Sequence, residues 1–102
     1  MLPKSINVKG VKYRITENLK DNDHLIGQCD RSKKTIRINP LETKDQKFKI
    51  MVLAHELCHA YMHEYNLDKV IEPNLDEQIC LMVEDIVKDL MPVIIENRKS
   101  LS

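Results

Sequence analysis

The stretch over 43–66 constrains the fold more than any other part of this chain of 102 residues, because its apolar residues do not leave one face polar. Placed at 100° steps, Met51 and Val52 fall on one side of a helix, and Leu53 and Leu57 fall toward the other. A helix that is apolar on both sides is buried on both sides. The pattern therefore predicts a central helix that packs between a sheet and another helix.

Capping residues and prolines set the expected helix limits. Thr43 followed by Gln46 fits a capping box at the start of the central helix. A second helix is predicted over 74–97, and Pro92 should bend or end it near its last turns. Its inward stripe is predicted to consist of Ile79, Met82, Val83, Ile86, Val87 and Leu90.

The first part of the chain, 1–41, has the alternation of strands. Apolar and polar residues alternate over 11–15, and turn-forming residues at 7–10 and 30–34 separate the apolar runs. This predicts two hairpins or a meander of three to four short strands. The chain length suits one domain. The sequence therefore predicts a single α+β domain over 1–102, with a small antiparallel sheet on a buried helix and a second long helix after it.

Charge and cysteine content argue against several classes of protein. Residues 1–49 carry 12 basic and 6 acidic side chains, whereas residues 50–102 carry 4 and 10. The basic residues are scattered without interleaved aromatic residues, which argues against a nucleic-acid partner. Three cysteines without C-x-x-C spacing indicate a reducing cytoplasm rather than a disulfide framework. No apolar run has the length of a secretion signal or a membrane span, so we expect a cytoplasmic protein without a membrane partner.

The central helix contains His55-Glu56-Leu57-Cys58-His59, an H-E-x-x-H motif. Histidines four positions apart lie on one helix face, so both imidazoles can bind one zinc ion at about 2.0 to 2.1 Å. Glu56 lies beside them, where its carboxylate can take a proton from a zinc-activated water and pass it to the departing amine. A packing role explains the motif less well, because burying three polar side chains is unfavourable unless a partner satisfies them.

A catalytic zinc ion takes three protein ligands, so a third must come from outside the motif. Glu77 is the leading candidate, because a second helix that returns antiparallel brings its first turn back to the histidines. Glu84 lies two turns later on nearly the same face, and His63 lies one turn beyond His59; both are alternatives. The run Asn74-Leu75-Asp76-Glu77 also fits a capping box, in which Glu77 would bond to the start of its own helix.

Residues 55–63 resemble the H-E-L-x-H-x-x-x-H helix of the ImmA/IrrE-type metallopeptidases and of small phage-encoded zincins. Residues 77–83 resemble the segment from which that family takes its glutamate ligand, and 27–30 with 35–38 resemble the strand pair that precedes its active helix. The resemblance implies a minimal zincin-like fold of the gluzincin type, with Zn²⁺ as the cofactor and Glu77 as a ligand.

The sequence therefore predicts a zinc metalloendopeptidase that acts on a protein or peptide partner in the cytoplasm. Its metal ligands are His55, His59 and Glu77, and its general base is Glu56. The alternative is a catalytically dormant binding module, in which zinc holds the two helices together and the surface binds a protein partner. Glu56 separates the two, because a structural zinc site needs no general base and closes its fourth position with a further Cys or His.

Overall fold

The computed structural model describes residues 2–19, 25–40 and 45–101, with side chains described as far as residue 93. Within these residues the chain has a four-stranded sheet and two long helices, so the predicted α+β class is confirmed. The elements are β1 (Ser5–Val8), β2 (Val11–Thr16), β3 (Gly27–Asp30), β4 (Thr35–Ile38), α1 (Gln46–Glu64), a 3₁₀ helix (Leu67–Lys69) and α2 (Pro73–Leu101).

The sheet has the order β1-β2-β4-β3, and it is mixed rather than antiparallel. Each consecutive pair, β1 with β2 and β3 with β4, forms an antiparallel hairpin, but β2 and β4 run parallel with Ile15 opposite Ile36. The predicted antiparallel sheet is therefore wrong in this central pairing. The alternating pattern identifies the residues that face the core, but it does not determine which strands of two hairpins become neighbours or in which direction. The two strands with the most deeply buried apolar residues, β2 and β4, occupy the centre.

One face of the sheet forms the core together with α1. The buried apolar side chains are contributed by alternate positions of the strands and by α1, as period two and period 3.6 require. A fully buried Val, Leu or Ile side chain among them contributes roughly 1.5 to 3 kcal/mol. The core consists of Leu2, Val8, Tyr13, Ile15, Ile36, Ile38, Val52, Leu53 and Ala60.

Helix α1 is the element that contacts both the sheet and α2, as its two apolar sides predicted. Asp45 caps it by accepting a hydrogen bond from the Lys47 backbone N–H at 3.2 Å, whereas the predicted cap Thr43 lies outside the described residues. At the other end of α1, the Tyr13 hydroxyl donates to Glu64 at 2.6 Å, which ties the sheet to the last turn of the helix.

Helix α2 is longer than predicted and is rotated about its axis. It runs through Pro92, because this residue is exposed and the carbonyl group that it leaves unbonded can be solvated. The predicted inward residues Met82, Ile86 and Leu90 are 55%, 47% and 48% exposed, so that part of the prediction is wrong. The predicted residues Ile79, Val83 and Val87 are half-buried, and the buried residues in the described part of α2 are Asp76, Cys80 and Met91.

The polar residues of α2 explain this rotation. Asp76 bonds to His59 of α1, and this contact holds Asp76 and Cys80 against α1. Met82, Ile86 and Leu90 are thereby turned toward solvent. Among the residues that the structure describes, neither helix has the length and apolar character that a membrane span requires.

Candidate metal centre

The two histidines of the H-E-x-x-H motif lie on the side of α1 that faces α2. Their ring centroids are 5.0 Å apart, and the ring planes meet at 65°. Both side chains are mostly covered by neighbouring residues. His55 and His59 therefore present two imidazole nitrogens to one point, as the spacing of four in a helix predicts.

Glu77 of α2 meets both rings at this point. Its Oε1 atom lies 2.8 Å from His55 Nε2, and its Oε2 atom lies 3.2 Å from His59 Nε2. One ligand atom from each of the three residues lies within 4.8 Å of the others. The Glu77 carboxylate is therefore directed at the histidines, in contrast to the capping interpretation, which would turn it toward the start of its own helix.

The donor set and its spacing fit zinc. Two imidazole nitrogens and a carboxylate oxygen are ligands that catalytic zinc takes, with bonds of about 2.0 to 2.2 Å, so that ligand atoms in a tetrahedral site lie about 3.3 Å apart. The observed separations of 2.8 and 3.2 Å between Glu77 and the histidine nitrogens are close to that value.

The second nitrogen of His59 explains why a cation fits here. Nδ1 of His59 lies 2.8 Å from Asp76 Oδ1, and a neutral ring that donates its proton there presents a lone pair at Nε2. In this tautomer the Nε2 lone pair would lie 3.2 Å from Glu77 Oε2, and a cation between the two acceptors would remove their repulsion. The contact between Asp76 and His59 is the carboxylate-to-histidine contact that orients metal ligands in zinc proteins.

Glu84 lies beside His55 rather than with the converging ligand atoms. Its Oε2 atom is 3.9 Å from His55 Nδ1, the nitrogen that does not face Glu77. The distance is too long for a hydrogen bond. Glu77 thus faces the Nε2 atoms of both histidines. The outer nitrogens are the Nδ1 atoms, of which Asp76 bonds to that of His59 and Glu84 lies near that of His55.

Glu56 of α1 is buried against Gly27, the first residue of β3. Glu56 is only 8% exposed, and a Cβ atom built at Gly27 would lie 3.1 Å from Glu56 Oε2. Burial is the main cause that raises the pKa of Glu56, and together with the nearby carboxylates of Glu77 and Glu84 it brings this pKa to about 7. A carboxyl group with a pKa near neutrality can both accept and release a proton at physiological pH.

This burial predicts an unusual pH dependence of stability in the metal-free protein. The pKa of Glu56 is higher in the folded state, about 7, than its ordinary value of 4.5. Its contribution to stability is therefore complete below about pH 4.5 and is lost as the pH rises through about 7. Between pH 5 and pH 8, in chelator, we expect the wild type to lose up to about 3 kcal/mol more unfolding free energy than Glu56→Gln. Urea unfolding at both pH values measures this, and parallel losses in the two proteins would contradict it.

His63 is directed away from the converging ligands. Its Nδ1 atom lies 2.8 Å from Asp68 Oδ2, and this hydrogen bond is the main cause that lowers the pKa of Asp68. The Arg31 guanidinium group lies between this pair and the metal centre, 3.7 Å from Asp68 and 3.4 Å from Asp76. Arg31 therefore contacts both Asp68, which bonds to His63, and Asp76, which bonds to His59.

The cysteines near the site remain neutral thiols. Burial raises the pKa of Cys80 well above its ordinary range, and its Sγ atom lies 3.6 Å from Asp76 and 3.4 Å from His59 Nδ1. Together Cys80, Asp76 and His59 form a second group of possible metal ligands. Because the Cys80 thiol lies within hydrogen-bonding distance of the Asp76 carboxylate, we assign it to supporting Asp76. Burial likewise raises the pKa of Cys29 to about 12, which argues against a cysteine nucleophile.

A cleft of about 430 Å³ gives access to the metal centre. Its walls are formed by β3 and the turn after it on one side and by α1 and α2 on the other. The cleft is lined by Leu25, Gly27, Gln28, Cys29, Arg31, His55, Glu56, His59 and Glu77.

Sequence reasoning missed two residues of this site, Asp76 and Arg31. The sequence places Asp76 in a run that fits a capping box. Neighbours in a helix differ by 100°, however, so Asp76 and Glu77 can reach two sides of one histidine. That adjacency is a signal that could have identified Asp76. Arg31 follows β3 in a turn, and the sequence contains no signal that brings this turn to α2.

Residues 4–73 match a family model described as the SprT-like family. It is a family of zinc metallopeptidase-like proteins. The match covers the sheet and α1 with the whole H-E-x-x-H motif, and it ends before Glu77. No curated protein and no solved structure matches the chain.

Proposed function

The chain belongs to the SprT-like family, and from this premise we propose that it is a zinc-dependent endopeptidase acting on a protein or peptide substrate. The observation that carries the proposal is the convergence of His55, His59 and Glu77 on one point beside Glu56. The class agrees with the resemblance to ImmA/IrrE-type enzymes. The family match extends to the two histidines and Glu56, and geometry alone supports Glu77.

The residues of the chain have separate roles in this proposal. When bound, zinc supplies Lewis acidity that polarises the scissile carbonyl group and acidifies water. Glu56 accepts a proton from the attacking water and delivers it to the amine that leaves. Asp76 holds the His59 ring in the tautomer with a free Nε2 atom, and its partner Arg31 keeps Asp76 in place.

The substrate is expected to lie as an extended peptide beside β3. Among the described residues β3 pairs with β4 only, so its outer side borders the cleft. An extended peptide can bond to such an edge through its main chain. We further propose a reducing, cytoplasmic setting, since Cys29, Cys58 and Cys80 are all free thiols.

The buried Glu56 favours the peptidase over the alternative of a catalytically dormant binding module. Burying Glu56 beside Glu77 and Glu84 disfavours its ionised form, and a zinc site that only joins two helices gains nothing from it. Two measurements separate the alternatives. Purified protein should contain one zinc per chain by elemental analysis, and the zinc-loaded protein should cleave an unfolded protein such as denatured casein. Stoichiometric zinc with no cleavage would favour the binding module.

The third ligand can be identified by comparing two glutamates of α2. Glu77→Ala should weaken zinc binding at least about a hundredfold, because it removes an atom from the ligand set. Glu84→Ala should weaken it about tenfold or less, since Glu84 lies near the outer nitrogen of His55. Competition with a chelator gives both affinities. If Glu84→Ala removes the metal and Glu77→Ala does not, the ligand set proposed here is wrong.

A further inference from the structure

A second cleft adjoins the metal centre and is chemically different from the first. It has a volume of about 400 Å³, and it shares Leu25, Gly27, His55 and Glu56 with the cleft described above. The shared residues include the proposed ligand His55 and the proposed base Glu56, so the two clefts meet at the candidate metal centre and differ in their remaining walls. A peptide bond at the metal centre would therefore place its neighbouring side chains in two different environments.

The walls of the second cleft are apolar. They are formed by Leu25 and Ile26 before β3, by Phe48 and Val52 of α1, and by Leu81 of α2. Its rim residues Leu25, Ile26 and Leu81 are 42%, 43% and 39% exposed. Three exposed large apolar side chains around one cavity are typical of a ligand-binding groove rather than of scattered surface residues.

The first cleft carries polar and charged groups at the corresponding place. Gln28 and Arg31 line it, together with Glu77 and His59. The guanidinium group of Arg31 has five donors and contacts only two carboxylates among the described residues, Asp76 at 3.4 Å and Asp68 at 3.7 Å, so it has further donors to offer a substrate. The asymmetry, apolar on one side of Glu56 and polar on the other, can distinguish the two residues that flank a scissile bond.

The apolar wall is held in place by a buried side chain. Asn39 is fully buried; its Nδ2 atom donates to the Leu25 carbonyl at 3.0 Å, and its backbone N–H donates to the Ile26 carbonyl at 2.9 Å. At the floor, a Cβ atom at Gly27 would lie 2.7 Å from Val52 Cγ1, so strand and helix are in direct contact there. Because the cavity is already formed, its own walls need not be ordered when a side chain binds.

We propose that this second cleft is a specificity pocket for a large aliphatic or aromatic side chain, on one fixed side of the bond that is cleaved. The inference rests on the proposed peptidase function. The occupant follows from continuity with His55 and Glu56, because the cleft begins at the atoms that would act on the substrate. An apolar side chain fits this cleft better than a basic one, because five of its nine lining residues are large and apolar. Its two carboxylates are Glu56, which is the proposed base, and Glu84, which faces His55.

The first test measures binding rather than catalysis. Leucine hydroxamate and glycine hydroxamate bind zinc through the same group and differ by one isobutyl side chain. On zinc-loaded protein, calorimetry should give the leucine compound an affinity about tenfold higher, the scale expected for burying part of one leucine side chain. Equal affinities for the two compounds would overturn the proposal.

Leu81→Lys places a charge in the pocket and should reduce that ratio to about threefold or less. Met82→Lys is the matched control, because Met82 is the next residue of α2, is 55% exposed and does not line the cleft. It should keep the full ratio. A ratio that is unchanged in Leu81→Lys, or equally reduced in both variants, would overturn the proposal.

The second test maps cleavage sites in denatured casein by mass spectrometry. Large apolar residues should be enriched about fivefold or more at one position next to the cleaved bond, and Leu81→Lys should abolish this enrichment. Cleavage without the enrichment would overturn the pocket and leave the peptidase function standing. A tenfold hydroxamate ratio without any cleavage would support the pocket and reject the peptidase function.

Discussion

Glu56→Gln is expected to lower the rate of peptide hydrolysis at least about a hundredfold, the usual scale for a general base, and to leave zinc bound. The amide has the size of the carboxylate, but it cannot accept the proton of the attacking water. Because Glu56 is not among the converging ligand atoms, the metal content should not change. Initial rates on denatured casein, with elemental analysis of the same samples, measure both effects.

Glu72→Gln provides the matched control for this experiment. Glu72 is exposed and precedes α2, so the same change of charge at that position should leave the rate within about twofold of wild type, as expected for a surface substitution. Hydrolysis by Glu56→Gln at the wild-type rate would show that another group acts as the base.

His55→Ala and His59→Ala should each abolish stoichiometric zinc. Zinc at 100 to 1,000 times its dissociation constant stabilises the folded state by about 2.7 to 4.1 kcal/mol, and in a domain of this size 1 kcal/mol corresponds to about 4 to 8 °C. The wild type should therefore melt at least about 10 °C higher with zinc than with chelator. Neither variant should respond to zinc in this way. Calorimetric melting with and without zinc measures the difference.

His63→Ala is the control for the two histidine variants. The His63 ring bonds to Asp68 instead of facing Glu77. Its removal should therefore leave the zinc content and the zinc-dependent rise in melting temperature unchanged. If His63→Ala loses zinc, or if either of the other two variants keeps it, the assignment of the metal centre is wrong.

The parts of this fold that follow local rules could be predicted from the sequence. Spacing of four brings His55 and His59 together on any regular helix, and alternation identifies Tyr13 and Ile15 as core residues of a strand. The reach of Glu77 followed from the expectation that α2 returns over α1. These features depend on residues that are close in sequence or on a single connection.

The features that could not be predicted depend on how two elements pack or pair with each other. The rotation of α2 about its axis is one such choice: Val83 and Val87 lie inward as predicted, but Met82, Ile86 and Leu90 are exposed while Asp76 and Cys80 are buried. Hydrophobic periodicity does not predict the contact of Asp76 with His59, because it contains no information on the polar groups of the neighbouring helix. The parallel pairing of β2 with β4 is a similar choice, since hydrophobic alternation is the same for both strand directions.

The outer position of β3 also has a consequence for what can be cleaved. A segment that is already paired in a sheet or wound in a helix uses its own main-chain groups, so it cannot lie beside β3 at the same time. A target must therefore open locally before it is cut, and the rate should follow the fraction of time that the segment is open. For the proposed peptidase, the stability of the target, more than the abundance of suitable bonds, would decide which proteins are cleaved, and damaged or incompletely folded chains would be cut first.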